Sequence, residues 1–387
     1  MTVSTIVFLL SAGFVFYVLA LYPIGLALWA RRFPRPIRKA FKPEAISIII
    51  PVRNGASWIG AKLQSLLSSD YPAELIEILV VSDGSTDDTN EIVRHYGDSR
   101  VRLLPLAPGG KAMAVTKALQ QVTSPIVVLT DVRQVFDPAA LQSLVACFAE
   151  PAVGVVTGEL VIRAGSTFEE YNTGLYWRYE KWIRRNLNRI DAMLGATGSI
   201  YAMRREFTAA IPSDILLDDV YLPFIAAAKG ARIYFEEKAK AWDSPTSLRS
   251  EFRRKVRTQA GVYQIVRHFP WLLWPGNRRF LHFASHKLGR LMLPFAMIVA
   301  AVSSFGLPAP WRTLVLTGQA LFYVAAAIDP LIPEKAAFKR LTGVIRAFVV
   351  LVAAAFCAVA VFIVPAQLLW KETKVETGRE NTEPVLK

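Results

Sequence analysis

The chain opens on an apolar run. No charged residue occurs between Met1 and Ala30, and at about 1.5 Å per residue a helix of that length crosses a hydrocarbon core of about 30 Å. No basic residue precedes the run and no small-x-small cleavage site follows it, so a retained spanning helix is expected rather than a signal peptide. Long uncharged stretches return at 291–311, 313–328 and 347–370 and predict three further spans. The shortest ends at Asp329-Pro330 and also suits a re-entrant hairpin. Between these regions the period changes. Short β-branched runs at Ile46–Val52, Leu75–Val81, Val101–Leu104 and Pro125–Thr130 alternate with helix-like segments near 56–68, from Thr86 and over 111–121. Such βαβα order predicts a mainly parallel sheet with helices on both faces and ligands beyond the carboxyl ends of the strands. Asp83 and Asp131 each directly follow a strand. Ser85 and Asp88 have capping-box spacing for the helix from Thr86.

Composition agrees with the pattern. Hydrophobic residues make up 53% of the 387, charged ones only 20%, and the mean hydropathy is +0.33. That is a membrane protein with room for one soluble domain of about 220 residues. Cys147 and Cys357 are too few for a disulfide framework or a thiolate zinc site, and a reducing compartment is the default.

The net charge of +14 is unevenly placed. Arg31, Arg32, Arg35, Arg38, Lys39 and Lys42 follow the first span with no acid among them, which puts this end in the cytoplasm and the N-terminus outside. Glu334-Lys335 and Lys339-Arg340 mark a second basic, cytoplasmic loop. Between Arg249 and Arg290 ten Lys/Arg and one acid, Glu251, are interleaved with Phe252, Tyr263, Phe269, Trp271 and Trp274. This suits helices lying in the interface, basic heads toward lipid phosphate. Nucleic acid is disfavoured as a partner because the basic stretch leads straight into a span. The expected organisation is a transmembrane helix 1–30, a basic cytoplasmic linker 31–43, an α/β domain 44–245, basic interfacial helices 246–290, transmembrane helices 291–370 and a polar tail 371–387.

Several chemistries drop out. No G-x-G-x-x-G follows the first strand and no G-x-x-x-x-G-K-[ST] occurs, which disfavours dinucleotide enzymes and P-loop ATPases. His95, His268, His282 and His286 show no paired metal spacing and are expected at surfaces or interfaces. The apolar segments carry almost no charge apart from Asp329, which disfavours a transporter. Phe168, Tyr171, Leu175, Tyr179 and Trp182 recur at helical spacing, as a packing stripe does. Asp83 serves either its turn or a ligand. Lys111 after Gly109-Gly110 is either a solvated helix start or a partner for phosphate. Asp218-Asp219 reads as an acid pair at a helix start, favourable to the helix dipole.

The run Ile48-Ile-Ile-Pro-Val-Arg-Asn-Gly55, then Val80-Val-Ser-Asp83-Gly-Ser-Thr-Asp-Asp-Thr89, then Gly110-Lys111 opening a helix, then Leu129-Thr-Asp131, resembles the family 2 glycosyltransferases. The resemblance covers roughly residues 44–265 and includes the membrane layout of the branch to which cellulose and hyaluronan synthases belong. It implies an α/β GT-A domain on the cytoplasmic face of a bacterial-type inner membrane. It further implies a nucleotide-sugar donor, UDP-sugar first, a Mg2+ or Mn2+ ion, and inversion at the anomeric carbon. The acceptor would be a lipid or a saccharide.

Residue by residue, the resemblance makes Asp83 the acid that holds base or ribose and Lys111 a diphosphate contact. Asp131 matches the first acid of D-x-D, a metal ligand, and Arg133 stands where the second acid would be. Either the donor's phosphates complete the metal site or Arg133 shares in neutralising diphosphate. Asp219 falls at the catalytic-base position with Asp218 behind it, and coupling between two adjacent acids would raise one pKa. Arg254-Lys-Val-Arg257-Thr258 falls on the Q-x-x-R-W motif. Arg257 takes the arginine position, Arg254 replaces the glutamine, and Thr258 replaces the tryptophan of the acceptor end, which argues against processive polymerisation. Gly198 and Ser199, in Gly195-Ala-Thr-Gly198-Ser-Ile-Tyr201, resemble the lining of the acceptor pocket. The alternatives are a processive synthase that extrudes its product, and a non-catalytic nucleotide-sugar-binding membrane protein, which the broken D-x-D leaves open.

Overall fold

The structure is a computed structural model that describes residues 2–162, 168–244, 248–334, 336 and 338–364, with the side chains of 168–176, 248 and 249 outside the description. The polar tail 371–387 and the end of the stretch 347–370 lie outside the described residues. The first four strands form where the β-branched runs stand: β1 (Ile46–Val52), β2 (Ile76–Asp83), β3 (Val101–Leu106) and β4 (Ile126–Leu129). They are followed by β5 (Val135–Phe136), β6 (Val153–Ile162), β7 (Tyr201–Arg204) and β8 (Arg232–Asp243). The eight make one sheet in the order β3-β2-β1-β4-β7-β6-β8-β5. β1 pairs in parallel with both β2 and β4, and β2 with β3. β7 then runs antiparallel between β4 and β6, while β6 and β8 are parallel. β1 and β4 are buried almost throughout because helices cover both faces, hence their unbroken apolar runs.

The two faces differ. Ile59, Leu63, Leu66, Leu141 and Leu144 close one core under β1, β2 and β4. The opposite core contains Ile49, Leu79 and Leu129 but continues through Phe224, Ala260 and Ile265 to Tyr22, Leu26, Phe283 and Leu291 on the long apolar helices. The sheet and the apolar helices therefore share one hydrophobic interior.

Four helices among the described residues, Val3–Arg32, Phe280–Ser304, Trp311–Leu331 and Lys339–Phe362, are long and apolar enough to cross a membrane by length and composition. They expose Leu9, Leu10, Phe16, Val302, Leu314 and Leu321, as hydrocarbon-facing helices do. The third includes the stretch 313–328.

One local expectation fails. The capping box of Ser85 and Asp88 does not form: the helix begins at Thr89 with no side-chain cap from Asp88, and Asp87 accepts instead from the Thr89 N–H (3.1 Å) and the Ala56 N–H (3.0 Å). Asp87 wins because it bridges two loops at once. Of the histidines expected at surfaces or interfaces, His282 and His286 are buried at contacts between helices. The Tyr22 hydroxyl lies 3.3 Å from His282 Nδ1, which joins the first two long helices, and His286 Nε2 lies 3.6 Å from Glu180 on the helix Phe168–Arg189.

Candidate active site

The loops that follow β1 and β2 are laced together. Gly55 N–H donates to Thr89 Oγ1 (2.8 Å), Thr86 N–H to Asn54 Oδ1 (2.8 Å) and Asn54 N–H to Ser85 Oγ (3.1 Å). This fixes the end of β2, where Asp83 is buried. Its carboxylate accepts from the backbone N–H groups of Gly109 (2.7 Å) and Gly110 (2.9 Å). Asp83 thus holds the glycine turn from which the helix Lys111–Leu119 starts. Such N–H groups would otherwise be orphaned at the helix entrance.

Lys111, the first residue of that helix, extends its ammonium to Asp131 Oδ1 at 2.8 Å and Asp218 Oδ1 at 3.2 Å. Burial works against its charge, but Asp131, Asp218 and Asp219 outweigh it and raise the pKa beyond the usual lysine range. Asp131 follows β4, and its N–H donates to Gly198 C=O (3.1 Å). Asp218 and Asp219 open the helix Asp218–Ala228, and the Gly198 N–H donates to Asp219 Oδ2 (2.8 Å). The point where a Cβ on residue 198 would stand is 3.4 Å from Asp131 Oδ2, Asp219 Oδ2 and Lys111 Nζ alike. Glycine here leaves three charged groups open to one small space.

Asp219 is pushed up to about 6, first by burial and then by Asp218 and Asp131, against the pull of Lys111 and the Gly198 N–H. That is where a general base for neutral pH should lie. Arg257, on the helix Leu248–His268, is half-buried, near enough to Asp131 and Asp219 for them to offset part of the desolvation that lowers its pKa. The helix approaches because it carries glycine: a Cβ on Gly261 would stand 2.4 Å from Leu217.

A cavity of about 580 Å³ opens from this cluster. Arg53, Asp83, Gly110, Lys111, Asp131 and the loop Ser213–Leu216 line it. Of the residues singled out in the sequence, Asp83, Lys111, Asp131, Asp218, Asp219, Gly198 and Arg257 are brought together. Ser199 is buried beside them, its carbonyl accepting from Thr130 Oγ1 at 2.7 Å.

Arg133 and Arg254 go elsewhere. Arg133 Nη2 pairs with the buried Asp243 at 2.6 Å, and Gln134 Nε2 donates to the same carboxylate at 2.8 Å. The antiparallel pairing of Val135 with Trp242 delivers Asp243 to that spot, so the residue at the second D-x-D position serves the sheet edge. Arg254 pairs with Glu251 at 2.6 Å and lies 5.0 Å over the Trp177 ring. Thr258 Oγ1 donates to the Arg254 carbonyl (2.9 Å).

Two contributors escaped the sequence reading. Lys62 is fully buried, donating to Thr130 Oγ1 (2.7 Å) and Gln134 C=O (2.6 Å), with its ammonium 3.9 Å from the Phe136 ring centre. Burial takes its pKa well below the lysine range. The signal was present: Lys62 interrupts the apolar stripe Ile59, Leu63, Leu66 on its helix. Gln264 accepts from Leu216 N–H (2.9 Å) and donates to Asp214 C=O (2.7 Å), clamping the loop that lines the cavity. Nothing local distinguishes it from any polar residue on that helix.

Among the described residues no three acidic, histidine or cysteine side chains converge to hold a metal. Asp131 does present a carboxylate oxygen to the cavity, which suits an ion that takes one protein carboxylate and completes its shell from phosphates.

The topology and the charged end of the cavity define a glycosyltransferase domain of the GT-A fold. Residues 47–211, most of the α/β domain, match glycosyl transferase family 2. The chain is 24% identical over 289 residues to a poly-beta-1,6-N-acetyl-D-glucosamine synthase of Staphylococcus epidermidis, covering 72% of this chain and 67% of that one. It is 23% identical over 231 residues to the enzyme of that name from Staphylococcus aureus strain COL, covering 58% and 56%. The chain thus spans between about half and two thirds of these relatives' length. Among solved structures, the mannosyltransferase PcManGT from Pyrobaculum calidifontis, in complex with GDP-Man and Mn2+, superposes with a TM-score of 0.69 over 92% of this chain and 98% of its own, at 22% identity. That likeness extends the shared fold beyond the α/β domain.

Proposed function

We propose that this protein is a membrane-embedded inverting glycosyltransferase that moves a sugar from a nucleotide-diphosphate donor, a UDP-sugar first, to a hydroxyl of a lipid or glycan acceptor. The product would belong to glycolipid or cell-surface polysaccharide synthesis. The observation that carries this is the convergence of Asp131, Lys111 and Asp219 on Gly198, beside the cavity that Asp131 and Lys111 line. The four apolar helices and the basic segments 31–42 and 249–290 support a multi-pass inner-membrane enzyme with its catalytic domain in the cytoplasm.

In this reading Asp83 and the Gly109-Gly110 turn frame the nucleotide end, and Asp83 retains acceptor capacity for ribose or base beside its two backbone donors. Asp131 would hold Mg2+ or Mn2+ together with the donor's phosphates, an ion that supplies charge neutralisation when bound. The acceptor oxygen attacks the anomeric carbon from the face opposite the diphosphate. Asp219 takes the acceptor's proton through Oδ1, its Oδ2 being held by Gly198. The bond from the anomeric carbon to diphosphate oxygen breaks with its electron pair leaving on the diphosphate. Lys111 and Arg257 stand to neutralise that charge. A single displacement inverts the configuration. PcManGT, with GDP-Man and Mn2+ in its complex, supports the donor class and the ion.

A second reading is favoured by the polymer-synthase names of the staphylococcal relatives: repeated addition to a growing polysaccharide. Thr258, folded back on Arg254, offers no aromatic platform for such a chain. A panel of UDP- and GDP-sugars assayed for nucleotide release, with product length read by electrophoresis, tests the proposal. Transfer of single residues to a lipid supports the first reading and long products the second. No release from any donor removes both.

A further inference from the structure

We propose that the junction between the first long helix and the catalytic domain is a binding site for the phosphate of an anionic membrane lipid, built by Arg31, Arg35 and Arg189. These arginines line a cavity of about 460 Å³ with Pro34, Pro36 and Tyr234, on the chain that leaves the apolar helix Val3–Arg32. All three are exposed, and no acid pairs with any of them among the described residues. The acids nearby are committed: Asp191 faces Arg232 and Arg278 at 3.7 and 2.6 Å, Glu236 holds Lys39 at 2.5 Å, and Glu150 accepts from the Arg38 N–H at 3.4 Å. None of them lines the cavity.

The backbone beneath is fixed. Arg35 N–H donates to Arg189 C=O at 2.6 Å, and Arg232 Nη2 donates to the carbonyls of Arg35 (2.5 Å) and Asn188 (3.3 Å). The carbonyls that would repel an anion are thereby taken up by donors. What remains open is three guanidinium forks, the group that best matches phosphate oxygens.

The surroundings select a lipid over a soluble anion. Leu28, Trp29 and Phe33, on the segment that carries Arg31 and Arg35, are exposed, and Trp at the end of an apolar helix marks the headgroup level of a bilayer. A phosphate in water has no use for those side chains. A lipid uses both, its phosphate on the arginines and its acyl chains along the helix. The inference rests on Val3–Arg32 spanning a membrane and not on the transfer reaction.

The full chain, purified in detergent and given phosphatidylglycerol or phosphatidylcholine, is examined by native mass spectrometry for retained lipid. Wild type should retain phosphatidylglycerol in preference, and the triple variant R31Q/R35Q/R189Q should lower that retention about tenfold or more. Arg35→Gln alone, which needs no simultaneous change at three positions, should lower it several-fold. Arg185→Gln, whose arginine is paired with Glu237, should leave it at the wild-type level, and millimolar inorganic phosphate should not displace the lipid. Equal retention by wild type and the arginine variants would overturn the site. So would an equal loss in Arg185→Gln, which would mean net charge alone, or displacement by inorganic phosphate, which would give the cavity to a soluble anion.

Discussion

The cavity has two acidic ends that use the same trick and come out differently. At one end Asp83 accepts from two glycine N–H groups, and its carboxylate shapes a turn. At the other end Asp219 accepts from one glycine N–H and stands among Asp218, Asp131 and Lys111. The first arrangement satisfies a charge. The second leaves one oxygen unused, and burial first, then the charges of Asp218 and Asp131, raise its pKa to about 6. An acid surrounded by donors builds a site, and an acid surrounded by acids does chemistry in it.

The largest expected effect lies at the crowded end. Asp219→Asn should lower kcat by about a hundredfold or more with donor affinity nearly intact, because the amide keeps the shape but cannot take a proton. Steady-state nucleotide release with donor titration reads both quantities. An ionised carboxylate whose folded pKa is raised opposes folding above that pKa, so Asp219→Asn should melt no lower than wild type at pH 7. A lower Tm would mean that the activity was lost with the fold.

Lys111→Met removes the cation shared by Asp131 and Asp218 and should cost about a hundredfold in kcat/KM, together with a drop in Tm, since two acids lose their partner. Loss of Tm with kinetics intact would make Lys111 a structural residue only. Asp83→Asn tests the satisfied end. It should raise donor KM about tenfold and leave kcat within a few-fold, because its contacts are made equally in ground and transition states. A fall in kcat as large as that of Asp219→Asn would erase the distinction between the two ends. Gln264→Ala, which frees the loop Asp214–Leu216, should give the smallest change, a KM rise of a few-fold. Unchanged KM would show that the loop is held without it.

The two ends also differed in how far the sequence revealed them. Strands β1, β2 and β4 were legible because central parallel strands are apolar almost throughout, and the acids at the ends of β2 and β4 were legible because ligands gather there. The grouping of Asp218 and Asp219 with Lys111 needed the family resemblance, since an acid pair at a helix start looks the same whether or not a lysine from another helix meets it. The fate of Arg133 was hidden for a different reason. Its partner Asp243 lies 110 residues away and arrives only through the pairing of β5 with β8. Lys62 was the reverse case: a lysine inside an apolar stripe was visible, but its partners, Thr130 and the Gln134 carbonyl, lie 68 and 72 residues further along, in the segment between β4 and β5.

The pH dependence of kcat in wild type and in Asp218→Asn bears most directly on the assignment of Asp219 as the base. Activity needs the ionised carboxylate, so kcat should rise with pH through a midpoint near 6. Removing the neighbouring charge should move that midpoint down while turnover at pH 7 is largely kept. An acid limb that stays in place when Asp218 is neutralised would contradict the account. So would an inactive Asp218→Asn beside an active Asp219→Asn, which would transfer the proton to Asp218.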